Sequence, residues 1–156
     1  MREIKFRVWD ENSQEMIYEV GITPEGIPYS IPENAEGCDQ FNYFLTCHKM
    51  QYTGLKDKNG QEIYEGDVVK FAFNDEGKNI RFMQIVFEGS GFKMREIYRN
   101  YWLKKIDGVL RIKRGILTDH KGTLQELYKS NEIYTTEIIG NIYENPELLE
   151  ASHASK

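Results

Sequence analysis

The sequence predicts a mainly β fold: an antiparallel meander forming a small SH3-like barrel or sandwich, with one or two short helices near the C-terminus. Three observations carry that prediction. Ten Tyr and eight Phe stand against four Pro and thirteen Gly in 156 residues, a mix that suits strands joined by glycine turns. Short runs alternate apolar and polar residues with period two. Turn residues punctuate those runs at short intervals, the rhythm of successive antiparallel strands. With 40 % hydrophobic and 29 % charged residues, the composition excludes wholesale disorder, collagen and coiled coil, and the length suits one domain over residues 1–150 with a sizeable core.

Ile4 to Val8 alternates strictly, and Met16 to Val20 is a second β-like run after the polar connector Asp10 to Glu15, so the two read as a hairpin. Residues 22–40 carry Pro24, Pro28, Pro32, Gly26 and Gly37 and read as a long surface loop without regular structure, the kind that belongs to a site or is poorly ordered. Phe41 to Leu45 is apolar but fits strand or helix equally. Gln51 to Leu55 and Gln61 to Tyr64 flank Asn59-Gly60, a dipeptide that supplies positive φ at both centres of a tight hairpin turn. Glu65-Gly66-Asp67 makes a second reversal into the β-branched and aromatic strand Val68 to Phe73.

Asn74 to Lys78 is a further turn, Ile80 to Phe87 a strand, and Glu88 to Gly91 another turn. A strand entered through Gly-Asp and followed by short-turn partners is how SH3-like barrels often read, by analogy. Arg95 to Lys105 fits helix or strand. Asp107-Gly108 makes a turn before the alternating strand Val109 to Lys113. Thr123-Leu124-Gln125-Glu126 has the capping-box form and opens a helix over Leu124 to Lys129. Ile133 to Tyr143 is strand-like, Asn145-Pro146-Glu147 is a helix start, and residues 151–156 form a frayed tail. No internal repeat, low-complexity block or domain boundary is legible.

No apolar run is long enough to cross a bilayer and the N-terminus lacks a secretory signal, which points to the cytoplasm and away from membranes. Two cysteines, Cys38 and Cys47, are too few for a disulfide framework and read as free thiols. The net charge of −5 is unevenly spread. Residues 1–66 hold six Lys/Arg against twelve Asp/Glu, residues 67–129 thirteen against eight, and residues 130–156 one against five. A basic middle between acidic flanks permits a local anion-binding face.

Three runs stand out: Arg2 to Asp10, Met50 to Gly60 with Ile63 to Asp67, and Glu137-Ile138-Ile139-Gly140-Asn141 through Asn145-Pro146-Glu147-Leu148-Leu149. Together they resemble the YopX family of bacteriophage and prophage proteins. They lie in order along nearly the whole chain. The resemblance implies a phage- or prophage-encoded cytoplasmic protein, mainly β, with no assigned activity and no functional residues to carry over. Between Ala72 and Ile133 no family motif is present. The same runs also read as turn and cap chemistry that specifies the fold. Tyr52, Thr53 and Tyr64, close to two turns, are candidate surface contacts.

Asp57-Lys58-Asn59-Gly60-Gln61 begins like a calcium loop, but the sixth position is Glu62 and the twelfth Val68, where Gly and Glu are needed. Gly89-Ser90-Gly91 lacks a dinucleotide context and reads as a turn. No phosphate-binding loop or nucleophile elbow is present. Cys38, Cys47 and His48 match no zinc spacing, and adjacent residues on a strand point to opposite faces, so Cys47 reads as a core residue and His48 as a surface one. Neither metal, cofactor nor catalytic residue is assigned, and binding is expected over catalysis, with an uncharacterised enzyme as the remaining alternative.

The candidate site is the segment Lys93 to Lys121, with nine cations against three acids. Its proposed contacts are Arg95, Arg99, Tyr101, Trp102, Lys104, Lys105, Arg111, Lys113 and Arg114. Cations neutralise phosphates and exposed rings stack on unpaired bases, so the composition suits nucleic acid, single-stranded above duplex. An acidic protein is the other partner this charge fits, and the structural alternative is an aromatic core under a solvated cationic face. A homo-oligomer joined through strand edges and exposed aromatics is a separate reading.

Overall fold

Antiparallel strands dominate the computed structural model, which describes residues 3–31, 41–73, 80–99, 102–106, 109–113, 122–130 and 133–148, with backbone alone at 98–99, 102–106, 109–113 and Tyr134. The chain divides into two compact units, Met1–Gly54 and Leu55–Lys156.

In the first unit, β1 (Phe6–Asp10) and β2 (Glu15–Ile22) form the expected hairpin, with Phe6 opposite Val20 and Asp10 opposite Glu15. The Asp10 carboxylate organises the turn: it accepts the Asn12 amide at 3.3 Å and the Ser13 hydroxyl at 2.8 Å. On the other side of β1 runs β5 (Cys47–Lys56), with Arg7 opposite Met50. Arg7, Val8 and Trp9 are all buried, which marks β1 as a central strand covered on both faces. Residues 22–40, expected to lack regular structure, hold the short strand β3 (Pro28–Ser30), which pairs with Gly21–Ile22 and with β4 (Asn42–Tyr43). The reason is local. Gly26 at φ +87° closes a tight turn in which the Thr23 amide donates to the Ile27 carbonyl at 2.9 Å, and proline is tolerated as the first residue of a strand. Residues 32–40 and Cys38 lie outside the described residues.

In the second unit β5 turns into β6 (Glu62–Tyr64) through Asp57 to Gln61. The turn differs from the expected one, because only Gly60 has positive φ (+79°). The Gly60 amide donates to the Asp57 carbonyl at 3.0 Å and the Asp57 carboxylate accepts the Asn59 amide at 2.9 Å, so Asn59 stays right-handed and Gly60 forms a bulge. Gly66 at φ +90° then leads into β7 (Asp67–Phe73), and the Asp67 carboxylate accepts the Tyr64 amide at 2.8 Å. β8 (Ile80–Glu88), β9 (Gly91–Arg99) and β12 (Ile133–Asn141) complete an open antiparallel sheet in the order β12-β7-β8-β9. The helix α1 (Leu124–Lys129) has both halves of the expected capping box. Its Leu124 and Leu127 pack with Ile63, Val69, Phe71, Met83, Ile85 and Met94 into the core, each such side chain contributing roughly 1.5–3 kcal/mol on burial.

The expected C-terminal helix start at Pro146 has begun its first turn at Glu147–Leu148. The expected turn at Asn74 to Lys78, the turn at Asp107-Gly108 and the tail 151–156 lie outside the described residues. The segment left between helix and strand is extended: β9 runs to Arg99, and β10 (Trp102–Ile106) pairs with β11 (Val109–Lys113) as a two-stranded ribbon. The mainly β, antiparallel prediction holds. Among the described residues the sheets stay open, so the barrel alternative does not.

Candidate functional site

The basic segment is sorted by strand register. In the β10–β11 ribbon Trp102 lies opposite Lys113, Leu103 opposite Ile112, Lys104 opposite Arg111, Lys105 opposite Leu110 and Ile106 opposite Val109. Directly opposed residues share a face and neighbours along a strand alternate. Trp102, Lys104, Arg111 and Lys113 therefore fall on one face, while Lys105 falls on the other with Leu103, Leu110 and Ile112. Like charges directly opposite one another destabilise an antiparallel pair by up to about 1 kcal/mol. Lys104 and Arg111 are such a like-charge pair by register.

The remaining predicted contacts divide differently. Arg95 on β9 is exposed but engaged with the Glu88 carboxylate, and Lys93 is half-buried opposite Val86. Arg99 lies at the end of β9 opposite Arg81. Tyr101 and Arg114 lie outside the described residues. Glu96, one of the three acids in the segment, is a structural group: its fully buried carboxylate receives Arg81 through Nε at 3.0 Å and Nη2 at 2.8 Å. Arg81 also lies over the Phe73 ring, 5.7 Å from its centre. A strand-by-strand charge count does not separate that ion pair from the exposed Arg95, because the bulge between Phe82 and Met83 resets the register.

The family-like runs form turn and cap networks. Asp57 Oδ1 accepts the Asn59 and Gln61 amides at 2.9 Å each, and Oδ2 accepts the Ile138 amide at 3.0 Å. The opening of the calcium-like loop is thus a clamp between a turn and β12. Asn141 Oδ1 accepts the Tyr143 and Glu144 amides at 3.0 and 2.8 Å. Tyr52, Thr53 and Tyr64, read as candidate surface contacts, are buried; Tyr52 and Thr53 are neighbours on β5 and point to opposite faces, so both faces of the strand are covered there. Beside Asp57 lies a shallow pocket of about 260 Å³ lined by Lys56, Tyr128, Ile133 and Thr136, below the range of about 300–1,000 Å³ usual for small-molecule sites.

Cys47 is half-buried and its thiol donates to the Phe44 carbonyl at 3.3 Å, while exposed His48 meets the Glu11 carboxylate. Burial pushes the Cys47 thiol up, outweighing the nearby Lys49 ammonium, which keeps it protonated and unsuited to nucleophilic attack. Among the described residues no helix is long and apolar enough to cross a membrane.

No curated protein matches the sequence significantly. Two crystal structures are similar over nearly their full lengths. Protein EF1440 from Enterococcus faecalis is 24 % identical, with a TM-score of 0.49 over 96 % of this chain and 99 % of that one. Protein yopX from Bacillus subtilis is 16 % identical, with a TM-score of 0.53 over 93 % of this chain and 95 % of that one. The latter likeness shows a shared fold. The family model described as "YopX protein" matches residues 5–150, which takes in the first of the runs singled out in the sequence from residue 5 onward and the other two in full, and the chain belongs to the YopX family.

Proposed function

We propose that the chain is a non-enzymatic binding module of a phage or prophage, acting in the bacterial cytoplasm, whose β10–β11 ribbon contacts single-stranded nucleic acid. The phage and cytoplasmic parts of this reading follow the family resemblance. The observation that carries the rest is the register of Lys104 against Arg111 beside Trp102 against Lys113. Three cations and one indole in two neighbouring cross-strand pairs combine phosphate neutralisation with a ring for base stacking. The opposite face of the ribbon, mostly aliphatic, has no such combination.

Fluorescence anisotropy of labelled single-stranded DNA, RNA and duplex at two salt concentrations tests the reading. The triple variant Lys104→Ser, Arg111→Ser, Lys113→Ser should weaken single-strand binding about tenfold or more and lower the logarithmic salt slope by about 2, from about 0.7 per phosphate contact. Lys105→Ser, on the other face, should leave affinity within about twofold. Absence of binding at low salt, or equal losses in both variants, overturns it.

A further inference from the structure

A second surface lies in the first unit, at the β4 end of its sheet. Tyr29 stands opposite both Gly21 on β2 and Tyr43 on β4. Its ring lies against Gly21, so close that a Cβ there would come within 2.4 Å of it. Phe41 stacks on Tyr29 with centroids 5.3 Å apart and planes 11° apart, and Tyr43 lies 6.2 and 6.5 Å from the other two rings. Ile31 and Leu45 follow Tyr29 and Tyr43 by two residues and are 59 % and 80 % exposed, and Tyr43 itself is 54 % exposed. Large apolar side chains left exposed beside a ring cluster are the kind of feature an interaction surface presents.

Two observations identify the occupant. β4 is the last strand of its sheet, with no further strand beside it among the described residues, and an open edge is a template for an added strand. The unit that carries it has four Lys/Arg against nine Asp/Glu, so a cationic chain complements it, whereas pairing with a second copy would oppose two acidic units. We propose that this edge takes up an extended basic segment of another protein as an added strand, with alternate apolar side chains on the aromatic row. The mode is strand addition: main-chain hydrogen bonds supply affinity and alternate side chains supply selectivity.

The test uses the full chain and a labelled peptide of alternating Val and Lys, beside one of alternating Val and Glu. The Val-Lys peptide should bind, and Tyr43→Ser with Leu45→Ser, both at exposed positions, should weaken it about tenfold or more, as removal of anchor residues does. N-methylation of alternate peptide amides should abolish binding, and the triple ribbon variant should leave it unchanged. Equal binding of the Val-Glu peptide, indifference to the Tyr43 and Leu45 changes, or tolerance of N-methylation overturns the proposal. So does a concentration-dependent dimer, seen by sedimentation without peptide, that the same changes abolish.

Discussion

Asp57 is the residue on which most local order converges, since its two carboxylate oxygens take three backbone amides and one of these, Ile138, lies 81 positions along the chain. Hydrogen bonds to a charged acceptor are worth about 1.5–3 kcal/mol, and the buried amides left behind add to the loss. Asp57→Ala should therefore lower the free energy of urea unfolding by about 3 kcal/mol, whereas Lys58→Ala, which removes an exposed pair with Glu137, should leave the urea midpoint nearly unchanged. Tyr128 offers a pH-dependent counterpart. Burial pushes its phenol up, the Thr136 hydrogen bond at 3.0 Å offsets part of that, and the Asp57 charge adds to it. The folded chain holds this proton more tightly than the unfolded chain. Its contribution is complete below the ordinary phenol value of about 10 and is lost as pH rises through the folded value. Thermal melts from neutral to alkaline pH should show a shallower alkaline fall in Tyr128→Phe than in the parent, and equal slopes would remove the assignment.

Elements end where single residues permit, and β12 is the clearest instance. A Cβ on Gly140 would stand 2.5 Å from Asn145 Oδ1 and 2.9 Å from Leu148 Cδ1, so the side chains that follow the strand pack into the space that the glycine leaves. Gly140→Ala should destabilise by about 1–3 kcal/mol, the range for overpacking, measured by urea unfolding; a neutral effect would mean that Asn145 moves freely aside. The β10–β11 ribbon makes the opposite trade. Lys104→Glu replaces a like-charge pair with an opposite-charge one across from Arg111 and should raise stability by up to about 1 kcal/mol. The same change should weaken single-strand binding. A variant that loses both stability and binding would show that Lys104 serves the fold alone.

Across the whole molecule, legibility followed range. Thr123 to Glu126 spelled the helix start because a capping box is complete within four residues, and α1 runs over Leu124–Lys129 as expected. The hairpins at Asp10 to Glu15 and Asp57 to Gln61 were equally local, although the Asp57 carboxylate changed the turn expected from Asn59-Gly60. The strand around Pro28 is not legible in its own residues, because Pro and Gly there are loop signals, and the pairing that makes β3 a strand comes from Gly21–Ile22 on one side and Asn42–Tyr43 on the other. The candidate site was half legible. Its cations were visible as a composition, and counting outward from Asp107-Gly108 as a two-residue turn yields the pairing of Lys104 with Arg111, which the ambiguous run before that turn obscured. The helix α1, the hairpin turns after Asp10 and Asp57, the strands with clear alternation and the excess of cations in the middle of the chain were determined by the sequence itself, through propensities and periods that act over a few residues. Which cations share a face, which acid is buried under Arg81, and that Asp57 reaches Ile138 were decided by tertiary structure, because cross-strand partners are selected by register and bulges that no local window contains.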